Sequence, residues 1–213
     1  MPTVKRPARA RAIRKSRVSP RKEPGSTASN ELVQTVLVAA RRLLETDGWD
    51  GVSTNRIAKA AGVSVGFLYK YFPNREAIAR AVVHDFWNSE LEVLGRAASA
   101  PGASIESVSD AYVDSVAANP RIHAEVSAYL VPLVADDAGA WDEKAVAAVV
   151  ALFDREYEDD PRKYIACENI YVAAIQITRR AALVRPEWLS SGELRREMRE
   201  LVRGYLGSFR RRT

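Results

Sequence analysis

Apolar residues recur along most of the chain at the three- and four-residue spacing that is typical of amphipathic helices. Glycine, proline and capping residues separate these runs. The pattern predicts four N-terminal helices, over about 30–48, 53–62, 64–72 and 74–98. Five more helices are predicted over about 104–118, 120–135, 138–158, 161–185 and 191–210. Because no alternating strand pattern interrupts them, we expect an all-α fold of about nine helices.

The segment from Ser53 to Phe72 has the pattern of a helix, a turn and a second helix. Ile57 on the first helix is placed to face inward, as are Leu68 and Phe72 on the second. Gly62 lies between the helices, where a residue without a Cβ atom lets the backbone turn. The segment is therefore predicted to form a helix-turn-helix unit.

The outward face of the second helix is too aromatic for an ordinary solvated surface. A helix fits the major groove of DNA, and residues near its N-terminus then meet base edges. Val65 and Phe67 suit contacts with thymine methyl groups, and Gly66 would let the backbone come close to the DNA. We predict that the base-facing positions of this helix are Ser64, Val65, Gly66 and Phe67. In the alternative interpretation, Phe67 packs beneath the first helix.

Hydroxyl and ammonium groups on the same two helices are predicted to bind phosphate oxygens, which fix the register of a protein on DNA. On the second helix these groups belong to Tyr69, Lys70 and Tyr71. Thr54 stands at the start of the first helix, where its hydroxyl and the helix N-terminus suit another phosphate. The alternative for Tyr71 is packing against the first helix.

Residues 39–83, AARRLLETDGWDGVSTNRIAKAAGVSVGFLYKYFPNREAIARAVV, resemble the DNA-binding domain of TetR-type (TetR/AcrR) transcriptional regulators. The resemblance implies phosphate contacts by Thr54, Tyr69, Tyr71 and Arg75. It implies base-facing positions at Asn55, Arg56, Val65, Gly66 and Phe67. Position 65 is often polar or basic in such proteins and is valine here. Sequence readout is therefore expected to depend on apolar contacts and on DNA shape.

The positive charge is concentrated at the N-terminus. Residues 1–27 contain nine basic side chains and one acidic side chain, so a chain of net charge +5 has −3 outside this segment. A basic, proline-rich arm beside DNA-binding helices suits the minor groove or neighbouring phosphates. The alternative is a solvated, disordered tail without a partner. We expect a disordered basic arm (1–28), a helix-turn-helix DNA-binding domain (29–76) and a C-terminal helical domain (77–213).

The resemblance to the family is weaker after about residue 100, where such regulators carry a domain that binds a small molecule and forms a homodimer. Independently, the predicted helices 161–185 and 191–210 both have apolar stripes, and two such helices from each subunit can form a four-helix interface. In the alternative, both stripes belong to the core of one subunit. The expected interface residues are Ile165, Val172, Ile175, Leu194, Met198, Leu201 and Tyr205.

An effector pocket is expected among the helices between residues 104 and 185. Apolar side chains that carry a polar group suit such a site. For each aromatic residue ordinary core packing is an alternative, and Glu168 is equally a candidate for a surface acid. The pocket candidates are Tyr112, Tyr129, Trp141, Glu168 and Tyr171.

Together these patterns predict a sequence-specific transcriptional regulator, a repressor that binds a palindromic double-stranded DNA operator as a homodimer. An unidentified small-molecule effector is expected to release it. The alternative function is that of an architectural DNA-binding protein without an effector.

Other classes of protein are disfavoured by the residues that the chain lacks. It has two histidines, one cysteine and no HExxH motif, so we expect no enzyme, no metal site and no cofactor. No apolar run approaches the roughly 20 residues that cross a bilayer. We therefore expect a cytoplasmic protein without a membrane partner.

Overall fold

A computed structural model describes residues 27–134 and 139–212, and these residues form ten α-helices with no β-strand among them. The predicted all-α fold is confirmed. The predicted basic arm lies outside the described residues up to position 26. The helices are α1 (Thr27–Asp47), α2 (Thr54–Ala61), α3 (Val65–Tyr71), α4 (Arg75–Ser99), α5 (Ile105–Ala118), α6 (Pro120–Glu125), α7 (Gly139–Glu156), α8 (Lys163–Val184), α9 (Pro186–Ser190) and α10 (Glu193–Leu206).

Local capping signals position the first helices. Ser53, Ser64 and Asn74 are the N-caps of α2, α3 and α4, and each side chain accepts a hydrogen bond from a backbone N–H of the first helical turn. Gly62 ends α2 with φ at 67°, the left-handed conformation that favours glycine. The turn between α2 and α3 is therefore fixed by residues within the helix-turn-helix segment itself.

The buried apolar residues form two cores. The N-terminal core joins α1–α3 to the first half of α4, and it also contains Ile122, Val126, Leu130 and Val134. The C-terminal core joins the end of α4 to α5 and α7–α10. Packing of the N-terminal core therefore crosses the predicted domain boundary at residue 76.

Helix α4 belongs to both cores. Its residues Ala77 to Trp87 pack in the N-terminal core, and Leu94 packs in the C-terminal core. One continuous helix thus connects the helix-turn-helix unit to the rest of the chain.

The segment predicted as one helix over 120–135 is divided. After α6 comes a π-helical turn at Val126–Leu130 and a 3-10 turn at Val131–Leu133. Pro132 has no backbone N–H to continue a regular helix. The predicted helix over 191–210 is also shorter, because α10 begins at Glu193 and ends at Leu206, and the short helix α9 before it was not predicted. Among the described residues, no helix is both long enough and apolar enough to span a membrane.

Candidate DNA-binding surface and internal cavity

Most of the predicted DNA-facing residues of α2 and α3 lie on one exposed surface. Val65 and Tyr69 are 37% and 42% exposed, and Asn55, Ser64 and Lys70 are exposed too. The hydroxyls of Thr54 and Tyr69 lie 3.2 Å apart, which brings the start of α2 beside the second turn of α3. Two predicted phosphate-binding hydroxyls therefore meet at one point.

Gly66 lies in the first turn of α3. Packing within the protein does not require a residue without a side chain at this position. A Cβ atom built there would meet Ser64 Oγ at 3.9 Å and no closer atom of the described residues. Glycine inside a helix costs about 1 kcal/mol relative to alanine. The outer surface at Gly66 is therefore free for close approach by another molecule.

Two predicted DNA contacts are engaged within the protein. The Arg56 guanidinium donates to the backbone oxygen of Gly51 and pairs with Asp47. Arg75 donates to the backbone oxygen of Val52 at 3.0 Å, and its guanidinium lies 4.1 Å from the centre of the Trp49 ring. In this arrangement both arginines fasten the loop between α1 and α2.

Tyr71 corrects the sequence analysis, which placed it on the phosphate-binding face. It is 3% exposed and packs in the N-terminal core beside Leu68 and Phe72. Phe67 is half-buried, with its ring centre 5.0 Å from that of Tyr71. The buried face of α3 is therefore wider than the sequence analysis expected, and Tyr71 supports the helix from inside.

A second surface is formed by α8 and α10. Ile165 and Val172 are 59% and 47% exposed on α8, and Leu201 and Tyr205 are 42% and 38% exposed on α10. Asn169 Nδ2 donates to the Tyr205 hydroxyl at 3.1 Å, which joins the two helices into one continuous face. We call this the α8–α10 face.

Three predicted interface residues do not belong to that face. Ile175, Leu194 and Met198 are 6%, 4% and 2% exposed and pack in the C-terminal core. Apolar residues occur on more than one side of α8 and α10, and these three point toward the other helices of the same chain. The alternative that assigned the stripes to the core of one subunit is correct for these positions.

A cavity of about 160 Å³ lies between α4, α5, α7 and α8. Of the predicted pocket residues, Tyr112, Trp141 and Tyr171 line it. Tyr129 is 50% exposed and Glu168 is exposed on α8, and both lie outside its lining. The lining also contains residues of α4, α7 and α8 that were not predicted, among them Trp87, Glu90, Leu91, Leu94, Asp142 and Arg179.

Polar groups in the cavity wall are connected across helices. Arg179 Nε donates to the Tyr112 hydroxyl at 3.1 Å, and the Tyr171 hydroxyl donates to Asp142 at 2.7 Å. Burial raises the pKa of Tyr112 to about 12, so its hydroxyl stays protonated at neutral pH. The wall thus combines aromatic rings with fixed hydrogen-bonding groups.

Glu90 is a buried carboxylate on α4, 8% exposed. Its Oε1 accepts from Ser115 at 3.0 Å, whereas Oε2 has no hydrogen-bond partner among the described residues. His123 Nε2 lies 3.9 Å from Oε1. Burial, together with the positive charges of Arg179 and Arg41, lowers the pKa of His123 to about 3, so this histidine is neutral beside Glu90 at neutral pH.

The buried His123 predicts a specific pH dependence of stability. The unfolded chain protonates this imidazole near pH 6.5, while the folded chain does not, so its contribution to the free energy of unfolding falls as the pH drops below 6.5. The expected loss is up to about 1.4 kcal/mol per pH unit. Urea unfolding between pH 7.5 and 5 would measure it. Burial raises the pKa of Glu90, which gives a pH dependence of stability of the opposite sign. Glu90→Gln removes this contribution, so Glu90→Gln is compared with Glu90→Gln/His123→Leu. Parallel stability curves for these two proteins would contradict the prediction.

Comparison with known proteins gives a family match over the residues that form the α2 and α3 surface. Residues 36–82 match the family model of bacterial regulatory proteins of the tetR family. The nucleoid occlusion factor SlmA of Actinobacillus pleuropneumoniae is 37% identical over 62 residues, which are 29% of this chain and 31% of SlmA. The uncharacterised HTH-type transcriptional regulator Rv1255c of Mycobacterium tuberculosis is 31% identical over 134 residues, 59% of this chain and 63% of the relative. The chain thus spans less than two thirds of the length of these curated relatives.

The similarity of fold extends over most of the chain. The crystal structure of a TetR-family transcriptional regulator from Streptomyces coelicolor superposes with a TM-score of 0.61 at 23% identity. The match covers 84% of this chain and 97% of that one. The C-terminal helices therefore have the arrangement seen in that regulator, at a sequence identity that shows the fold alone.

Proposed function

We propose that the chain, whose residues 36–82 match the family model of tetR-type bacterial regulatory proteins, is a repressor of that family that a small-molecule effector releases from its operator. The observation that carries the DNA-binding part is the exposed surface of α2 and α3. There the Thr54 and Tyr69 hydroxyls lie 3.2 Å apart, one turn of helix from the open surface at Gly66. This arrangement suits a phosphate at the hydroxyl pair and base edges at the N-terminus of α3.

The α8–α10 face supports a homodimer. A two-fold dimer presents two copies of α3, which suits a palindromic operator with half-sites about 34–36 Å apart. The apolar side chains of the α8–α10 face are exposed in a single chain, and packing against the same face of a second chain would remove them from water. The basic arm would add phosphate or minor-groove contacts beside α3.

Helix α4 supports a route from an effector to the DNA. Trp87, Glu90 and Leu94 line the cavity, whereas the first half of the same helix packs beneath the helix-turn-helix unit. A second connection passes through Val131, which lines the cavity, and Glu125, which accepts a hydrogen bond from Trp49 N at 2.9 Å. An effector that binds better to a state with wrongly spaced α3 helices would shift the population away from DNA.

An architectural DNA-binding protein without an effector is the second candidate. The similarity to the nucleoid occlusion factor SlmA covers 31% of that protein. The cavity, with polar groups from several helices in its wall, favours an effector-responsive regulator.

The test is binding of the full chain to the intergenic DNA beside its own gene, measured by fluorescence anisotropy across a salt series. A specific regulator should resist competitor DNA. Tyr69→Phe removes one phosphate-binding hydroxyl from each subunit, and the loss of about 0.5–1.5 kcal/mol per hydrogen bond predicts that a dimer binds DNA about 5- to 140-fold more weakly. Tyr129→Phe, which removes an exposed hydroxyl outside the predicted DNA surface, is the matched control. Weak binding that is indifferent to sequence and is lost in modest salt would contradict a specific regulator.

A further inference from the structure

The cavity has an aromatic wall and an excess of carboxylates. Trp87, Trp141, Tyr112 and Tyr171 contribute four aromatic side chains to its lining. The ring centres of Trp87 and Trp141 lie 5.1 Å apart. Charged side chains in the lining are two acids and one base, Glu90, Asp142 and Arg179. Aromatic faces attract cations, and the formal charge of the lining is −1.

The two carboxylates differ in how well they are satisfied. Asp142 is exposed and accepts the Tyr171 hydroxyl at 2.7 Å. Glu90 is buried, and its Oε2 has no hydrogen-bond partner within the described part of the chain. A buried carboxylate oxygen without a donor is costly, so Glu90 is the group that gains most from a new donor.

The positive groups around Glu90 only partly compensate its charge. Arg179 gives its Nε hydrogen to Tyr112, and Arg41 stacks 5.5 Å from the centre of the Phe86 ring. His123 is neutral at this position, as its lowered pKa shows. Burial raises the pKa of Glu90 despite Ser115, Arg179 and Arg41, so these neighbours do not fully stabilise its ionised form.

We propose that the cavity selects a compact organic cation, an amine on a small aromatic or apolar body, with Glu90 as its counter-ion. This inference deepens the proposed effector site and rests on it. The ammonium group would donate to Glu90, and the body would lie against Trp87 and Trp141. The size fits a small ligand, because about 160 Å³ corresponds to roughly five waters at ~30 Å³ each. A further apolar space of about 30 Å³ shares Tyr112 and Tyr171 with the cavity.

The test uses three probes that share a ring and a linker and differ in the terminal group: 2-phenylethylamine, 2-phenylethanol and phenylacetate. Calorimetry on the full chain without DNA measures their dissociation constants. The amine should bind about ten- to hundred-fold more tightly than the alcohol, the range expected for a charge-assisted hydrogen bond. Phenylacetate should bind most weakly. Equal binding of all three, no binding of the amine, or tightest binding of phenylacetate through Arg179 would overturn the proposal.

Two matched variants test the role of Glu90. Glu90→Gln should abolish the advantage of the amine over the alcohol while leaving the alcohol unchanged. Glu168→Gln removes the same charge from the exposed surface of α8, outside the cavity lining, and should leave all three affinities unchanged. If Glu90→Gln is misfolded by circular dichroism, the order of the three probes on the natural chain still decides. Retention of the full advantage in folded Glu90→Gln would overturn the proposal.

Adding the amine to the DNA complex separates this inference from the proposed function. Binding of the amine that depends on Glu90 but does not release the DNA supports the inference and contradicts effector release. Release of DNA by phenylacetate, without binding of the amine, supports effector release and contradicts the inference that the cavity selects an amine.

Discussion

Leu201→Asp should convert a dimer into monomers and lower operator affinity by about 10²–10⁴-fold, the range that linked binding sites contribute. In a two-fold interface each substitution occurs twice, so two carboxylates would have to be buried against apolar neighbours. Burying each unpaired carboxylate costs several kcal/mol of association free energy. Leu201 is 42% exposed in one chain, so the fold of the single chain should survive.

Sedimentation velocity and fluorescence anisotropy on the same samples would measure both effects. The matched control is Arg196→Asp, which places the same residue on the opposite flank of α10, away from Leu201 and Tyr205. The control should remain dimeric and should bind DNA with nearly natural affinity. A dimeric Leu201→Asp protein with unchanged melting temperature would show that the subunits associate through another surface.

The neighbouring tyrosines of α3 should respond in opposite ways to truncation. Tyr71→Ala should lower the free energy of unfolding by about 3–5 kcal/mol, as expected for a large aromatic side chain removed from a core. That loss is a large part of the roughly 5–15 kcal/mol that stabilises a typical protein, so DNA binding should be lost with it. Tyr69→Ala should change stability little, because Tyr69 is 42% exposed, yet it should weaken DNA binding.

Urea unfolding and DNA titration of the two alanine variants would separate these effects. Tyr71→Phe keeps the buried ring and serves as the control, with an expected loss of at most about 1 kcal/mol from the hydroxyl. If Tyr69→Ala unfolds as readily as Tyr71→Ala, Tyr69 also supports the fold, and the division between an inner and an outer tyrosine is wrong.

Local signals explain why the helix-turn-helix unit was predictable. Ser53, Ser64 and Asn74 cap helices through atoms only a few residues away, and Gly62 relieves strain at its own position. Such interactions depend on neighbouring residues, so the sequence contains the information needed to place them. The all-α fold followed from the same kind of local evidence.

Positions on the flank of a helix were harder to predict. Tyr71 is three residues from Leu68, and whether this flank is covered depends on how α3 packs into the N-terminal core. Ile175 and Val172 on α8 are also three residues apart, yet one is buried and the other is exposed. Helical spacing alone does not decide which of two apolar flanks faces the same chain.

The cavity was only partly predicted, because its walls come from distant parts of the sequence. A detectable signal was present in α4. Phe86, Trp87, Glu90 and Leu94 have the spacing of one buried helix face, and a carboxylate within such a face is unusual. The division of the predicted 120–135 helix had a signal in Pro132, whereas the π-helical turn before it depends on tertiary packing.

The segment after α5 has a consequence for how such a chain can evolve. Ile122, Val126 and Leu130 fill the N-terminal core, although about 35 residues or more of sequence separate them from α4's buried first half. A recombination event that transferred the first 99 residues to another regulator would leave those places in the core empty. New pairings of a DNA-reading unit with a sensing unit are therefore expected to succeed when the incoming and resident versions of this segment have matching shapes. Inheritance of the two units is linked by packing, even though they perform separate tasks.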